Sequence, residues 1–309
     1  MTNHTPMVSP TQSQLTQDTK SAIQGDNRHP GSAAAPAEPS ESVFVDGNEV
    51  ATAADLMRPS FGTRSAFQTS DLVRFGRLSI LIAAYNEEAT LQRCIERILR
   101  APLSYDLARE IILVDDGSTD NTWPIAQKLA AKHPELRIFR QPKNYGKGAA
   151  IRRAISEMAG DLAILQDADL EYDPADWPVL FEPLIDGRAD ACFGSRFLGG
   201  PHRVLYYWHS VGNRMLTTFS NMLTNLNLTD METCYKAIRG DLARSLAPKL
   251  TADRFGFEPE ITARLAKSDA RIFEVPISYS GRTYAEGKKI GWKDGIAAFW
   301  HITKFNLFS

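Results

Sequence analysis

The chain has little cysteine. Cys94, Cys192 and Cys234 are widely spaced and odd in number, with no CxxC pair and no Cys/His cluster. That pattern suggests neither a disulfide framework nor a thiolate zinc site, and it fits a reducing, cytoplasmic setting. No stretch approaches the roughly 18 uninterrupted apolar residues of a membrane span. The N-terminus lacks a basic start followed by an apolar block, so no secretory signal is expected. Neither sign of charge is in excess: 35 Lys and Arg stand against 37 Asp and Glu, a net charge of −2. Such a balance gives no global attraction to nucleic acid, which is not expected as a partner. The GxxxxGK[ST] spacing of a Walker A loop is also missing.

What is present is apolar material in a regular order. Of the 309 residues, 43% are hydrophobic, enough for one large domain or two small ones. Residues 1–70 are the exception. Rich in Ser, Thr, Gln, Pro, Ala and Gly, they cannot offset their ordering entropy and are expected to form a disordered extension. From residue 77 the pattern changes. "LSILIAAY", "EIILVDD", "LRIFRQ" and "LAILQD" are apolar runs of strand length. Amphipathic helical segments alternate with them, such as Leu91, Ile95, Ile98 and Leu99 on one face. This order predicts an α/β fold with a mostly parallel sheet covered by helices on both sides. Further on, "ADACFGSR" and "ARIFEVPISY" read as strands. A long helix is predicted from about 205 to 226, and others over "FGFEPEITARLAKS" and residues 291–309.

In such a sheet the ligand crevice lies beyond the carboxyl ends of the strands. The first strand ends in Ala83, Tyr85, Asn86 and Glu87; the second in Asp115, Asp116, Gly117 and Ser118. The third leads to Asn144, Gly146, Lys147 and Gly148, and the fourth ends in Asp167, Asp169 and Glu171. Four polar tips on one edge define a site. Each tip also has a plainer reading. "DDGSTDNT" suits a turn and helix N-cap. "YGKGAA" suits either a Gly-permitted turn or a phosphate held by Lys147 and free N–H groups at a helix start. The acids at alternate positions 167, 169 and 171 are expected to project together from an extended chain, where they call for a cation. Hard oxygen ligands favour Mg²⁺ or Mn²⁺ carrying substrate phosphates.

"AAYNEE", "VDDGSTDNT", "NYGKGAA" and "DADLEYDP", in this order and spacing, resemble the inverting nucleotide-sugar glycosyltransferases of family 2, which have the Rossmann-like GT-A fold. Within it, the chain is most similar to the branch of dolichyl-phosphate mannose synthases and bacterial polyprenyl-phosphate hexosyltransferases. The resemblance covers residues 77–290. It implies that Ala83, Tyr85, Glu87 and the pair Asp115/Asp116 hold the nucleoside. Asp167 and Asp169, with Glu171 beside them, would hold the metal and diphosphate. It also implies a basic and polar set gripping the acceptor phosphate, with Arg196, Asn213, Arg214, Lys236, Arg282 and Lys288 as candidates. Asp169 and Arg282 are then the expected catalytic residues, meeting around the sugar. The resemblance further implies UDP-glucose or GDP-mannose as the donor and dolichyl or undecaprenyl phosphate as the acceptor.

An anionic lipid phosphate needs cations to bring two anions together, so no dedicated base is expected. A sugar hydroxyl would need one. The aromatic spacing of Trp292, Ile296, Phe299 and Trp300 suits an interfacial helix on the cytoplasmic membrane surface, or a helix packed on the core. The alternatives are a soluble sugar or glycan acceptor, a sugar nucleotidyltransferase, and a non-catalytic nucleotide-sugar sensor. The nucleotidyltransferase would want a Gly-rich basic loop where "AAYNEEAT" stands.

Overall fold

Apolar strands that carry no polar face must be covered on both sides, and the molecule is built around that requirement. The structure, a computed structural model, describes residues 75–283 and 292–308 apart from 104 and 205, with the backbone of a short hairpin at 44–45 and 48–49. The chain divides into two units, Met1–Thr63 and Arg64–Ser309. In the first, β1 (Phe44–Val45) pairs antiparallel with β2 (Asn48–Glu49). The rest of the disordered extension expected over 1–70 lies outside the described residues.

The second unit carries a seven-stranded sheet. Its strands are β3 (Arg77–Ala84), β4 (Ala108–Asp115), β5 (Leu136–Arg140), β6 (Leu162–Asp167), β7 (Ala191–Ser195), β8 (Lys236–Arg239) and β9 (Ile272–Pro276). The spatial order is β5-β4-β3-β6-β8-β7-β9. Pairings are parallel except at β8, which runs antiparallel to both β6 and β7. From Leu78 to Leu81 and from Ile111 to Val114 the chain is solvent-inaccessible. Both faces are therefore covered, as the unbroken apolar pattern requires. Each such side chain contributes about 1.5–3 kcal/mol by leaving water.

Helices α1 (Leu91–Arg100), α2 (Thr122–Ala130) and α3 (Lys147–Glu157) follow β3, β4 and β5. Helix α3 packs across β3 and β4 through Ala150, Ile151, Ala154 and Ile155. Beyond β6 come α4 (Trp177–Ile185), α5 (Tyr207–Thr224), α6 (Gly240–Leu246), α7 (Phe257–Lys267) and α8 (Trp292–Leu307). A separate small cluster of Leu216, Met231, Ala298 and Ile302 joins α5 to α8.

Register fixes where the polar tips sit. Ala83 is level with Asp167 on one side, and Ala84 with Asp115 on the other. The ends of β4, β3 and β6 therefore form one edge. The sequence pattern did not disclose β8: four residues beginning with Lys236 are too short for periodicity.

Candidate active site

The first two tips are stitched together by their own polar side chains. Asn86 takes the left-handed backbone conformation (φ 53°), which asparagine tolerates. Its N–H donates to Ser118 Oγ (3.0 Å), and its Oδ1 accepts from the Thr119 N–H (2.9 Å). The Glu87 N–H donates to Thr122 Oγ1 at 2.8 Å, and Glu88 Oε2 accepts from the N–H and side-chain amide of Asn121. Much of the "DDGSTDNT" polarity therefore holds the "YNEE" turn in place.

The two acids of that tip differ. Asp116 Oδ1 accepts from the Tyr145 N–H and from Gln141 Nε2, both at 2.9 Å, and its Oδ2 accepts from the Gly146 N–H at 2.7 Å. Burial pushes its pKa up, and those amides pull it back only in part. Asp116 is thus a brace for the loop before α3. Asp115 lies beside Arg140 Nε at 3.0 Å, with Arg140 stacked over Trp123. Replacing Asp116 by Ala strands three donors and should cost about 1–3 kcal/mol, read as a lowered urea midpoint with Asp115→Asn as the comparison.

The glycines of "NYGKGAA" have a packing reason. Gly146 has φ 114°, and a Cβ there would strike the Asp253 carbonyl; a Cβ on Gly148 would strike that of Ala252. The segment before α7 thus lies directly on the start of α3.

The acids of "DADLE" meet the protein's own cations. Strand β6 stops at Asp167, so Asp169 and Glu171 lie in the turn beyond it. Strand alternation therefore does not bring the three together, contrary to expectation. Asp167 Oδ1 lies 2.8 Å from Lys147 Nζ, which also pairs with Glu258 Oε1 at 2.9 Å. Burial opposes the charge of both Asp167 and Lys147, but their mutual attraction wins. The carboxyl pKa falls and that of the ammonium rises well above its usual value.

Asp169 Oδ2 accepts from Arg282 Nη2 at 2.6 Å, while Arg282 Nε and N–H bond Glu171 Oε1 at 2.8 and 3.1 Å. Glu171 Oε2 accepts from the Tyr279 hydroxyl at 2.7 Å. Burial, with Asp167 and Glu171 as like charges, pushes Asp169 up to about 7 despite Arg282.

The donor set can be weighed for a divalent metal. Among the described residues no three His, Cys, Asp or Glu side chains form a ready cage. Magnesium usually needs only one or two carboxylates and completes its shell with water and phosphate oxygens. Asp167 and Asp169 supply hard oxygens, and the like charges of Asp167 and Glu171, which add to burial in raising Asp169, are a negative potential that a cation relieves. The pair fits such an ion. Glu171, the third acid expected there, bonds Arg282 and Tyr279 through its two oxygens, much as Asp169 bonds Arg282 and the Glu171 N–H.

The expected acceptor set is only partly assembled. Lys236 is a correction: it is wholly buried at the start of β8. Its ammonium bonds Glu258 Oε2 at 2.7 Å, the Met231 carbonyl at 3.1 Å and the Thr233 carbonyl, so no acceptor phosphate reaches it. Arg196 is gripped by Asp230, Nε to Oδ2 at 2.6 Å and Nη2 to Oδ1 at 2.8 Å, and lies over the Tyr279 ring. Asn213 Nδ2 joins them on Asp230 Oδ1 at 3.3 Å. The charge of Arg196 is therefore already matched. Arg214 is exposed on α5. Lys288 lies outside the described residues, as do the side chains of Trp292 and Ile296. The partners Asp230, Glu258 and Tyr279 were not expected. Of these, Glu258 reads in sequence as an ordinary acid at a helix start, favoured by the dipole.

A mostly parallel open sheet with paired acids and basic partners at its carboxyl edge defines a protein of the α/β class, with its candidate site at the strand ends. The chain belongs to the Glycosyl transferase family 2 family, whose model matches residues 79–246. It is 27% identical over 217 residues to the dolichol-phosphate mannosyltransferase of Pyrococcus furiosus, covering 70% of this chain and 60% of that one. It is 28% identical over 239 residues to the undecaprenyl-phosphate mannosyltransferase of Micrococcus luteus, covering 75% and 94%. The chain thus spans about three-fifths of the Pyrococcus relative's length. The glucosyl-3-phosphoglycerate synthase of Mycobacterium tuberculosis, solved in complex with Mn²⁺, UDP and glucosyl-3-phosphoglycerate, has a similar fold. The TM-score is 0.58 at 20% identity, over 74% of this chain and 78% of that one. The architecture is the GT-A type that the motifs implied.

Proposed function

We propose that this protein transfers a hexose from a nucleotide sugar to a polyprenyl phosphate, with inversion and with the help of Mg²⁺ or Mn²⁺. The observation that carries this reading is the alternation of acid and cation at one sheet edge: Lys147 on Asp167, and Arg282 across Asp169 and Glu171. Asp167 and Asp169 would hold the metal, which supplies Lewis-acid stabilisation of the leaving diphosphate. The chain's own residues do the rest. Of the pair that would hold the nucleoside, Asp116 has both oxygens in the loop and Asp115 accepts from the Ser118 N–H beside Arg140; Tyr85 and Ala83 flank the pair on β3 and its tip. Lys147, which holds Asp167 at rest, would offer its ammonium to the diphosphate as that charge arrives. Arg282, positioned by Glu171 and Tyr279, faces the sugar from the acceptor side, and an anionic lipid phosphate beside it needs no base.

A donor panel tests this. Purified protein with Mg²⁺ or Mn²⁺, several nucleotide sugars and a polyprenyl phosphate should release nucleoside diphosphate only when the lipid is present. EDTA should stop the release and added Mn²⁺ restore it. Lipid-independent turnover with a soluble sugar would replace the lipid acceptor in this reading, and no release with any donor would end it.

A further inference from the structure

Helix α5 is amphipathic the wrong way round for a helix on a water-facing surface. Its buried face carries Thr217 and Ser220 beside Leu216. Its outer face carries Trp208, Met215 and Met222, which are 76%, 58% and 74% exposed. These three recur every seven residues, so they lie within about 40° of one another on a helix of 3.6 residues per turn. Tyr207 (70%) adjoins them, and Val204 (87%) stands just before the helix. Large side chains of this kind, in a row and in water, mark an interaction surface.

Charge narrows the occupant. In a chain where 37 of 309 residues are acidic, no aspartate or glutamate occurs from residue 191 to 229, whereas Arg196, Arg203 and Arg214 do. Arg214 is exposed one residue before Met215. An apolar stripe with the exposed Arg214 beside it, on a helix that carries no acid, suits a helix lying in the headgroup region of an anionic bilayer, with tryptophan at its edge. Among the described residues no helix is long and apolar enough to cross a membrane, so the contact is in the plane of the interface. Helix α8 contributes alongside: Ala298 and Ile302 pack inward with Leu216, while Trp300, Leu307 and Phe308 remain exposed.

We propose that the outer face of α5, centred on Trp208, Met215 and Met222, docks this protein on an anionic lipid surface. The inference draws its purpose from the lipid-acceptor reading. The inner face of the same helix presents Asn213 to the Asp230–Arg196 pair, so docking brings the acceptor set to the headgroup plane. Its physical basis is independent of any reaction.

The full-length protein is to be floated with neutral phosphatidylcholine vesicles and with vesicles containing phosphatidylglycerol, without substrate. Wild type should float with the anionic vesicles, with a blue shift in tryptophan fluorescence. A variant combining Trp208→Ser, Met215→Ser and Met222→Ser should partition at least about tenfold more weakly. Arg214→Glu should weaken binding to the anionic vesicles alone. The triple variant's thermal unfolding reports on its fold, and donor binding without vesicles reports separately on the catalytic reading. Equal flotation of a folded triple variant and wild type would overturn the proposal. So would a concentration-dependent dimer that the triple variant abolishes, since the occupant would then be a second copy.

Discussion

Asp169→Asn should lower turnover by about 100-fold or more while leaving the protein at least as stable as before. On the proposed reading, the loss follows from removing a charge that would help hold the metal and diphosphate, where single electrostatic groups are typically worth a factor of about 10²–10³. The stability expectation follows from the resting geometry. Asp169 is 8% exposed and crowded by Asp167 and Glu171, so its charge is costly when no metal is bound, as its pKa of about 7 records. An amide keeps the shape without that cost, and Arg282 retains Glu171 as its partner. The folded protein holds the Asp169 proton more tightly than the unfolded chain. Metal-free stability should therefore fall as pH rises from about 4 towards 7, and the Asn variant should flatten that slope. Turnover and thermal melting on the same preparations check both halves. Near-normal turnover would refute the assignment of Asp169 to the metal and sugar.

Lys236→Met should destabilise the fold by about 3–5 kcal/mol, the usual cost of removing one partner from a buried ion pair. Methionine fills the space of the aliphatic stem, so packing changes little. What is lost is the ammonium. Glu258 Oε2 and the carbonyls of Met231 and Thr233 would all be left facing its absence. Lys147 still holds the other oxygen of Glu258, which limits the damage to one side of the pair. Urea unfolding measures the effect. A residue that gripped an acceptor phosphate would behave differently: its loss would raise KM for the lipid and leave the unfolding midpoint where it was.

These two outcomes separate the charges of this protein into those that act and those that hold. Asp167–Lys147–Glu258–Lys236 is a continuous chain of alternating charge running from the sheet edge into the interior. One end lies at the sheet edge of the candidate site and the other, Lys236, is wholly buried. Asp230 likewise holds Arg196 and Asn213, the residues expected to meet the acceptor, and is itself fully buried. Each acid that faces the site is thus given a cation before any ligand arrives, which makes the resting site tolerable in a dry setting.

The sequence by itself determined the alternating strands and helices, the edge on which the polar tips gather and the family. All of these rest on local signals: apolar runs of strand length, faces repeating at helical spacing, and four short motifs in a fixed order. The structure alone decided which charges are partnered. Asp169 and Arg282 are 113 residues apart, and Asp116 and Gly146 are 30 apart; no periodicity links such pairs. It also decided that Lys236 is buried and that Glu171 braces Arg282. The same is true of α5, whose apolar stripe is a core face by spacing and a surface by exposure. Spacing reports which side chains share a face, because that depends on the backbone repeat alone. What the face meets depends on packing between distant parts of the chain, and that is settled only when the fold closes.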